Sequence, residues 1–194
     1  MNYLAHLYLS GNDKELLIGN FLGDSVKGSK FEKYSEGVQK GIRLHRAIDS
    51  YTDAHPIFKI TKSRLKPFDP YAGVIVDMFY DHLLATNWKQ YSDVSLMDYT
   101  QWAYSILHSR IHKYPEKAKR MLPSMSKYNW LFGYGMIEGL ERSLDGISKR
   151  TVNNFALAPA VKLLEENRAD FENDFKLFFE DLRGFCQEEI YSKP

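Results

Sequence analysis

The chain has a single cysteine, Cys186, among its 194 residues. No intramolecular disulfide and no thiolate zinc cluster can form within it, which fits a reducing cytoplasm. Nor is there a run of about 18 consecutive apolar residues, so no membrane span is expected. The opening stretch, MNYLAHLYLSGNDKE, lacks a basic segment and is interrupted by Asn2, His6 and Ser10, so it does not read as a signal peptide. Charge of one sign is also missing: the formal net charge is +1. Overall charge therefore points to neither nucleic acid nor membrane as a partner. Alternating strand patterns, internal repeats and low-complexity tracts are absent as well, and the sole Asp-Gly pair, at 145–146, lies between helical patterns.

What is present is helical periodicity. Prolines stand singly at 56, 67, 70, 115, 123, 159 and 194 and read as punctuation between helices. The periodicity predicts helices near 2–9, 14–26, 35–54, 56–66, 70–91, 95–113, 115–121, 126–144 and 159–190, weakening around Gly133, Gly135 and Gly139. In the last of these, Phe171, Phe175, Phe178, Leu182 and Phe185 form one apolar stripe that must pack on something. The expected fold is all-α, a single-domain helical bundle spanning residues 1–194.

Several acids and imidazoles sit on faces that ought to be apolar. On the segment 35–54, Val38, Ile42, His45, Ile48, Asp49 and Thr52 share one face at about 100° per residue, so His45 and Asp49 point inward. Asp77 and Asp81 lie one turn apart at the edge of an apolar face, and His82 follows directly. Asp24 shares a face with Leu17, Asn20 and Phe21, and His6 sits among leucines. Taken singly, each has an ordinary structural explanation, a hydrogen-bonded core histidine or a solvated acid pair. Together they place uncompensated charge in four helices, which costs several kcal/mol each unless a cation intervenes. Carboxylates and imidazoles without thiolate suit Mn²⁺, Fe²⁺ or Mg²⁺, with Zn²⁺ open.

The motifs N-x-L-A-H-L, G-N-x-L-x-D, G-I-x-x-H-R-x-I-D-x-x-T-D and D-x-x-x-D-H, in order over residues 2–88, resemble those of the acyl carrier protein phosphodiesterase family. A looser likeness continues in GMIEGLERSLDGISKR, residues 135–150. That family is similar to the all-helical HD-domain phosphohydrolases, although this chain has Asp81-His82 in place of a His-Asp pair. The resemblance implies a Mn²⁺-dependent hydrolysis that releases 4′-phosphopantetheine from holo acyl carrier protein. It implies Asp24, His45, Asp81 and His82 as metal ligands. Asp49 or Asp77 would orient a ligand or take a proton, Arg46 would neutralise phosphate oxygens, and His6 would protonate the departing serine oxygen.

Acyl carrier proteins are small and strongly acidic, so an enzyme acting on one needs local positive charge. KITKSRLK, residues 59–66, has four basic residues and no acid, and residues 110–120 have Arg110, Lys113, Lys117, Lys119 and Arg120 against Glu116. The first segment lies between the His45 and Asp77 helices, which predicts docking at Lys62 and Arg64. Two other readings are an HD-like phosphohydrolase acting on a nucleotide or small phosphoester, and a helical binding module without catalysis.

Overall fold

Local capping sets where many of the helices begin. In the computed structural model, which describes residues 1–191, α1 (Tyr3–Tyr8) follows Asn2, whose side chain accepts from the Tyr3 amide. The Asp13 carboxylate accepts from the Glu15 and Leu16 amides at the start of α2 (Lys14–Leu22). Glu36 opens α3 (Glu36–Ala54), and Pro56 opens α4 (Pro56–Arg64), where its missing N–H costs nothing. Then come α5 (Ala72–Thr86), α6 (Leu96–Ser109) capped by Ser95, α7 (Glu116–Lys127), α8 (Trp130–Gly133), α9 (Ile137–Ser148), α10 (Ala160–Glu166) and α11 (Arg168–Tyr191). No strand occurs among the described residues, so the fold is all-α.

Several predicted helices are shorter or divided. The segment 14–26 leaves α-geometry after Leu22, and Gly23–Ser25 form a 3₁₀ turn. Similar turns close α5 and α6 at Trp88–Gln90 and Ile111–Lys113. The segment 126–144 is broken between α8 and α9, where Gly133 and Gly135 flank the bend. Pro123 does not punctuate: it lies inside α7. It is exposed there, so water can satisfy the carbonyl that loses its partner.

α5 is the central helix, with Ile75, Met78, Phe79, Leu83 and Leu84 all buried. The α11 stripe packs on it: the Phe171 ring meets Phe79 at 5.4 Å and Phe178 meets Tyr80 at 5.1 Å. Burying each such ring contributes about 1.5–3 kcal/mol, and one continuous apolar core joins both ends of the chain. Among the described residues, no helix is long and apolar enough to cross a membrane.

The crossing of α2 and α3 positions the polar cluster. Gly19 and Gly41 face each other there; a Cβ on Gly19 would overlap the Val38 carbonyl, and one on Gly41 would overlap the Leu16 carbonyl. Glycine at both positions lets the two backbones touch. That contact brings the end of α2 onto the His45 turn of α3.

Candidate active site

His45 and Asp49 are four residues apart on α3, so their side chains rise from one face. His45 is buried, and its Nε2 lies 3.2 Å from Asp49 Oδ2. The 3₁₀ turn after α2 brings Asp24 to the same nitrogen, with Oδ1 at 3.5 Å. Gly23 makes this approach feasible, since a methyl group on it would overlap the imidazole ring of His45.

His6 enters from α1. Its ring stacks on that of His45 with centroids 4.1 Å apart, and its Nε2 lies 3.2 Å from Asp49 Oδ1. Asn20 determines which ring nitrogen of His6 carries the proton. The Asn20 amide nitrogen donates to the His6 carbonyl at 2.6 Å and to Ser10 Oγ at 3.0 Å. Its oxygen is thereby turned to His6 Nδ1, 2.8 Å away, and can only accept. Nδ1 therefore holds the hydrogen, and the lone pair of Nε2 faces Asp49 and His45.

This geometry can hold a metal ion. One donor atom each from His6, His45 and Asp49 lie within 4.8 Å of one another. His6 Nε2 is buried and makes no aligned hydrogen bond among the described residues, despite its closeness to Asp49. An imidazole lone pair aimed at a shared centre, with no donor to receive, suits a cation. Both carboxylates stay half-open to solvent, 45% exposed for Asp49 and 53% for Asp24, so a water and a substrate can reach the centre. Two imidazoles with one or two carboxylates and no thiolate match the hard-to-borderline divalent ions.

The two histidines differ electrostatically. Burial pushes His6 down to about 4, aided by its His45 neighbour and opposed by Asp49. Burial alone would also lower His45, but contact with Asp24 and Asp49 raises it to about 9. Burial would raise Asp49, yet contact with the His45 imidazole carries it down; contact with His45 lowers Asp24 first, and the nearby Lys117 adds to that. The contribution of His45 to stability is fully present below its unfolded value of about 6.5 and is lost as pH rises through about 9. Chemical denaturation in chelator should show a midpoint falling between about pH 7 and 9, and His45→Gln should flatten that slope.

The remaining expected site residues lie elsewhere or have other partners. Asp81 is fully buried and accepts from the amides of Leu4 at 2.7 Å and Ala5 at 3.2 Å, so it caps α1 from another helix and is not in the three-residue group. His82 is outside that group too; its Nδ1 donates to the Tyr134 carbonyl at 2.7 Å. Both expected ligands on α5 are thus held by backbone groups of other elements. Asp77 pairs with the α-amino group of Met1 at 2.8 Å. Arg46 donates to the Val26 and Gly28 carbonyls, both at 2.9 Å, and lies over the Phe31 ring, which ties it to the loop after α2. Arg64 binds Asp170 and Asp174 on α11 at 3.1 and 3.0 Å, while Lys62 beside it is exposed. His6, expected as a proton donor, lies beside His45 and Asp49, and burial lowers its basicity. Asn20 and Gly23 had no assigned part, and the available hint was Asn20 one turn before Asp24 on an apolar face.

Comparison with known proteins agrees with this arrangement of motifs. A family profile described as acyl carrier protein phosphodiesterase matches residues 1–182. The chain is 32% identical over 183 residues to the acyl carrier protein phosphodiesterase of Photorhabdus laumondii, covering 92% of this chain and 91% of that one. It is 30% identical over 181 residues to the protein of the same name from Serratia proteamaculans, covering 92% and 94%. No solved structure matches it. With the profile spanning nearly the whole length and such relatives aligned end to end, the chain belongs to the acyl carrier protein phosphodiesterase family.

Proposed function

We propose that the chain hydrolyses the phosphodiester joining 4′-phosphopantetheine to a serine of holo acyl carrier protein, with a divalent cation, Mn²⁺ foremost, held by His6, His45, Asp49 and Asp24. The supporting observation is the convergence of two imidazole nitrogens and a carboxylate oxygen within 4.8 Å, open to solvent on the carboxylate side. His6, His45, Asp49 and Asp24 would hold the ion, which would supply Lewis acidity toward a phosphoryl oxygen and toward water.

The protein's own contribution is orientation. His6 is fixed through Asn20, and His45 is fixed between Gly23 and the two carboxylates. Asp24 and Asp49, the half-open acids, accept hydrogen bonds from an incoming water and turn its lone pair toward phosphorus. The new P–O bond forms as the bond to the serine oxygen breaks, and the proton lost by the water passes to the Asp24 or Asp49 carboxylate and from there to the serine oxygen. The phosphate leaves with the pantetheine arm, and the serine regains a proton.

Incubation of the purified chain with holo carrier protein and Mn²⁺, followed by intact mass, tests this. Conversion to the apo mass, stopped by chelator and restored by Mn²⁺, is the expected result. A carrier protein that keeps its arm, while a nucleotide or small phosphoester is cleaved under the same conditions, would assign the centre to a different phosphohydrolase reaction.

A further inference from the structure

Two carboxylates balance the charge of one divalent ion, so a negatively charged phosphoryl group needs further cations beside the candidate active site. Arg46 is tied by its guanidinium to the Val26 and Gly28 carbonyls. Contacts between α1 and α7 put other groups there. Tyr3 and His6 are three residues apart on α1 and share a side of that helix. The Tyr3 ring is half-buried against Phe21, and its hydroxyl reaches α7. Its one hydrogen-bond partner among the described residues is the sulfur of Met121, at 3.4 Å. A thioether is a weak acceptor, so the phenol keeps a proton to offer a better one. Burial holds that proton on the oxygen, with Asp24 adding to the effect and Arg150 opposing it.

Two cations accompany this hydroxyl. Lys117 stands four residues before Met121 on α7, hence on the face that meets Tyr3, and its charge reaches Asp24. Arg150 lies in the turn after α9. That turn is held by the Arg150 amide on the Ile147 carbonyl at 2.8 Å and by the Val152 amide on the Tyr71 hydroxyl at 2.9 Å. Tyr71 precedes α5, the helix whose Asp77 and Asp81 grip the first residues of α1. The turn is thereby docked beside the start of α1, and the Arg150 charge reaches the Tyr3 phenol. Both cations are exposed, and neither side chain makes an ion pair or a hydrogen bond among the described residues. Position sets them apart from other exposed cations, because each acts on a group at the rim of the site.

We propose that Tyr3, Lys117 and Arg150 form an anion subsite beside the candidate active site. It takes a non-bridging oxygen of a substrate's phosphoryl group, with a hydrogen bond from the phenol and charge-assisted ones from the two cations. This rests on the divalent centre proposed above, and it gives these residues the part expected of Arg46. The subsite reads the phosphoryl group and not the body that carries it. A small phosphodiester therefore depends on it as a protein-borne one does.

Inorganic phosphate titrated calorimetrically into the Mn²⁺-loaded chain reads the subsite without turnover. Lys117→Gln/Arg150→Gln should weaken phosphate binding by about tenfold or more. Tyr3→Phe, which keeps the ring packed on Phe21, should weaken it too. Mn²⁺ affinity, titrated separately, should not fall in any of these variants, because none of the three side chains is a ligand. KM for bis(4-nitrophenyl) phosphate should rise in step with the loss of phosphate binding. Lys176→Gln, at an exposed lysine of α11, should change neither. Circular dichroism confirms that each variant is folded. Unchanged phosphate affinity in the double variant or in Tyr3→Phe, or an equal loss in Lys176→Gln, overturns the subsite. A wild-type chain that binds no Mn²⁺ overturns it together with the centre it serves. Phosphate held through these residues while holo carrier protein stays intact keeps the subsite and removes the proposed reaction.

Discussion

Replacing His45 with alanine is expected to lower turnover of holo carrier protein by about a thousandfold or more while leaving helical content unchanged. His45 is the residue on which the cluster converges. Its Nε2 contacts Asp49 at 3.2 Å and Asp24 at 3.5 Å, and its ring stacks on His6. Without it, the centre loses one imidazole and the two carboxylates lose the group that holds them on one side. Affinity for Mn²⁺ should fall with turnover, read by isothermal titration of the chelated and dialysed protein. The helix itself should persist, because alanine is the better helix former and α3 is anchored at the Gly19–Gly41 crossing, one turn away. Undiminished hydrolysis by the variant would remove His45 from the chemistry. Loss of the circular dichroism signal would make its role one of packing.

Asp81→Ala should act on stability first. The carboxylate is fully buried and is the acceptor for the amides of Leu4 and Ala5. Deleting it strands two buried donors at the start of α1, at a cost of about 3 kcal/mol in all. For a chain of this size that corresponds to a fall in Tm of roughly 6–12 °C, measured on metal-free protein. Turnover should also decline, because the capped turn carries His6, which makes Asp81 a positioning residue for the centre. A ligand role predicts the opposite pattern: metal-free Tm nearly unchanged and Mn²⁺ affinity sharply reduced. Asp81→Asn separates the two further. It retains one carbonyl acceptor but sets an amide N–H₂ against the other backbone donor, so an intermediate loss of Tm is expected.

Much of this was readable from local pattern. Helical period alone gives the all-α class, the apolar stripe of α11 and the inward face shared by His45 and Asp49, because side chains four residues apart on a helix are neighbours whatever surrounds them. Proline was less reliable, since Pro123 is accommodated on an exposed face of α7, where losing one hydrogen bond is offset by water.

What the sequence could not determine was which inward polar groups would meet. Along the chain, Asp24, Asp81 and His82 were the expected companions of His45 at a metal, with His6 expected as a proton donor. The glycine contact between α2 and α3 decides for Asp24, the stacking of the His6 ring on that of His45 decides for His6, and the buried first-turn amides of α1 claim Asp81 for capping. Arg64 was likewise a free cation in sequence until α11 brought Asp170 and Asp174 against it. The physical reason is the same in each case. Periodicity fixes the direction of a side chain relative to its own helix axis, but Coulomb attraction, desolvation and hydrogen bonding act over a few ångströms between helices. Those distances are set only when the helices pack.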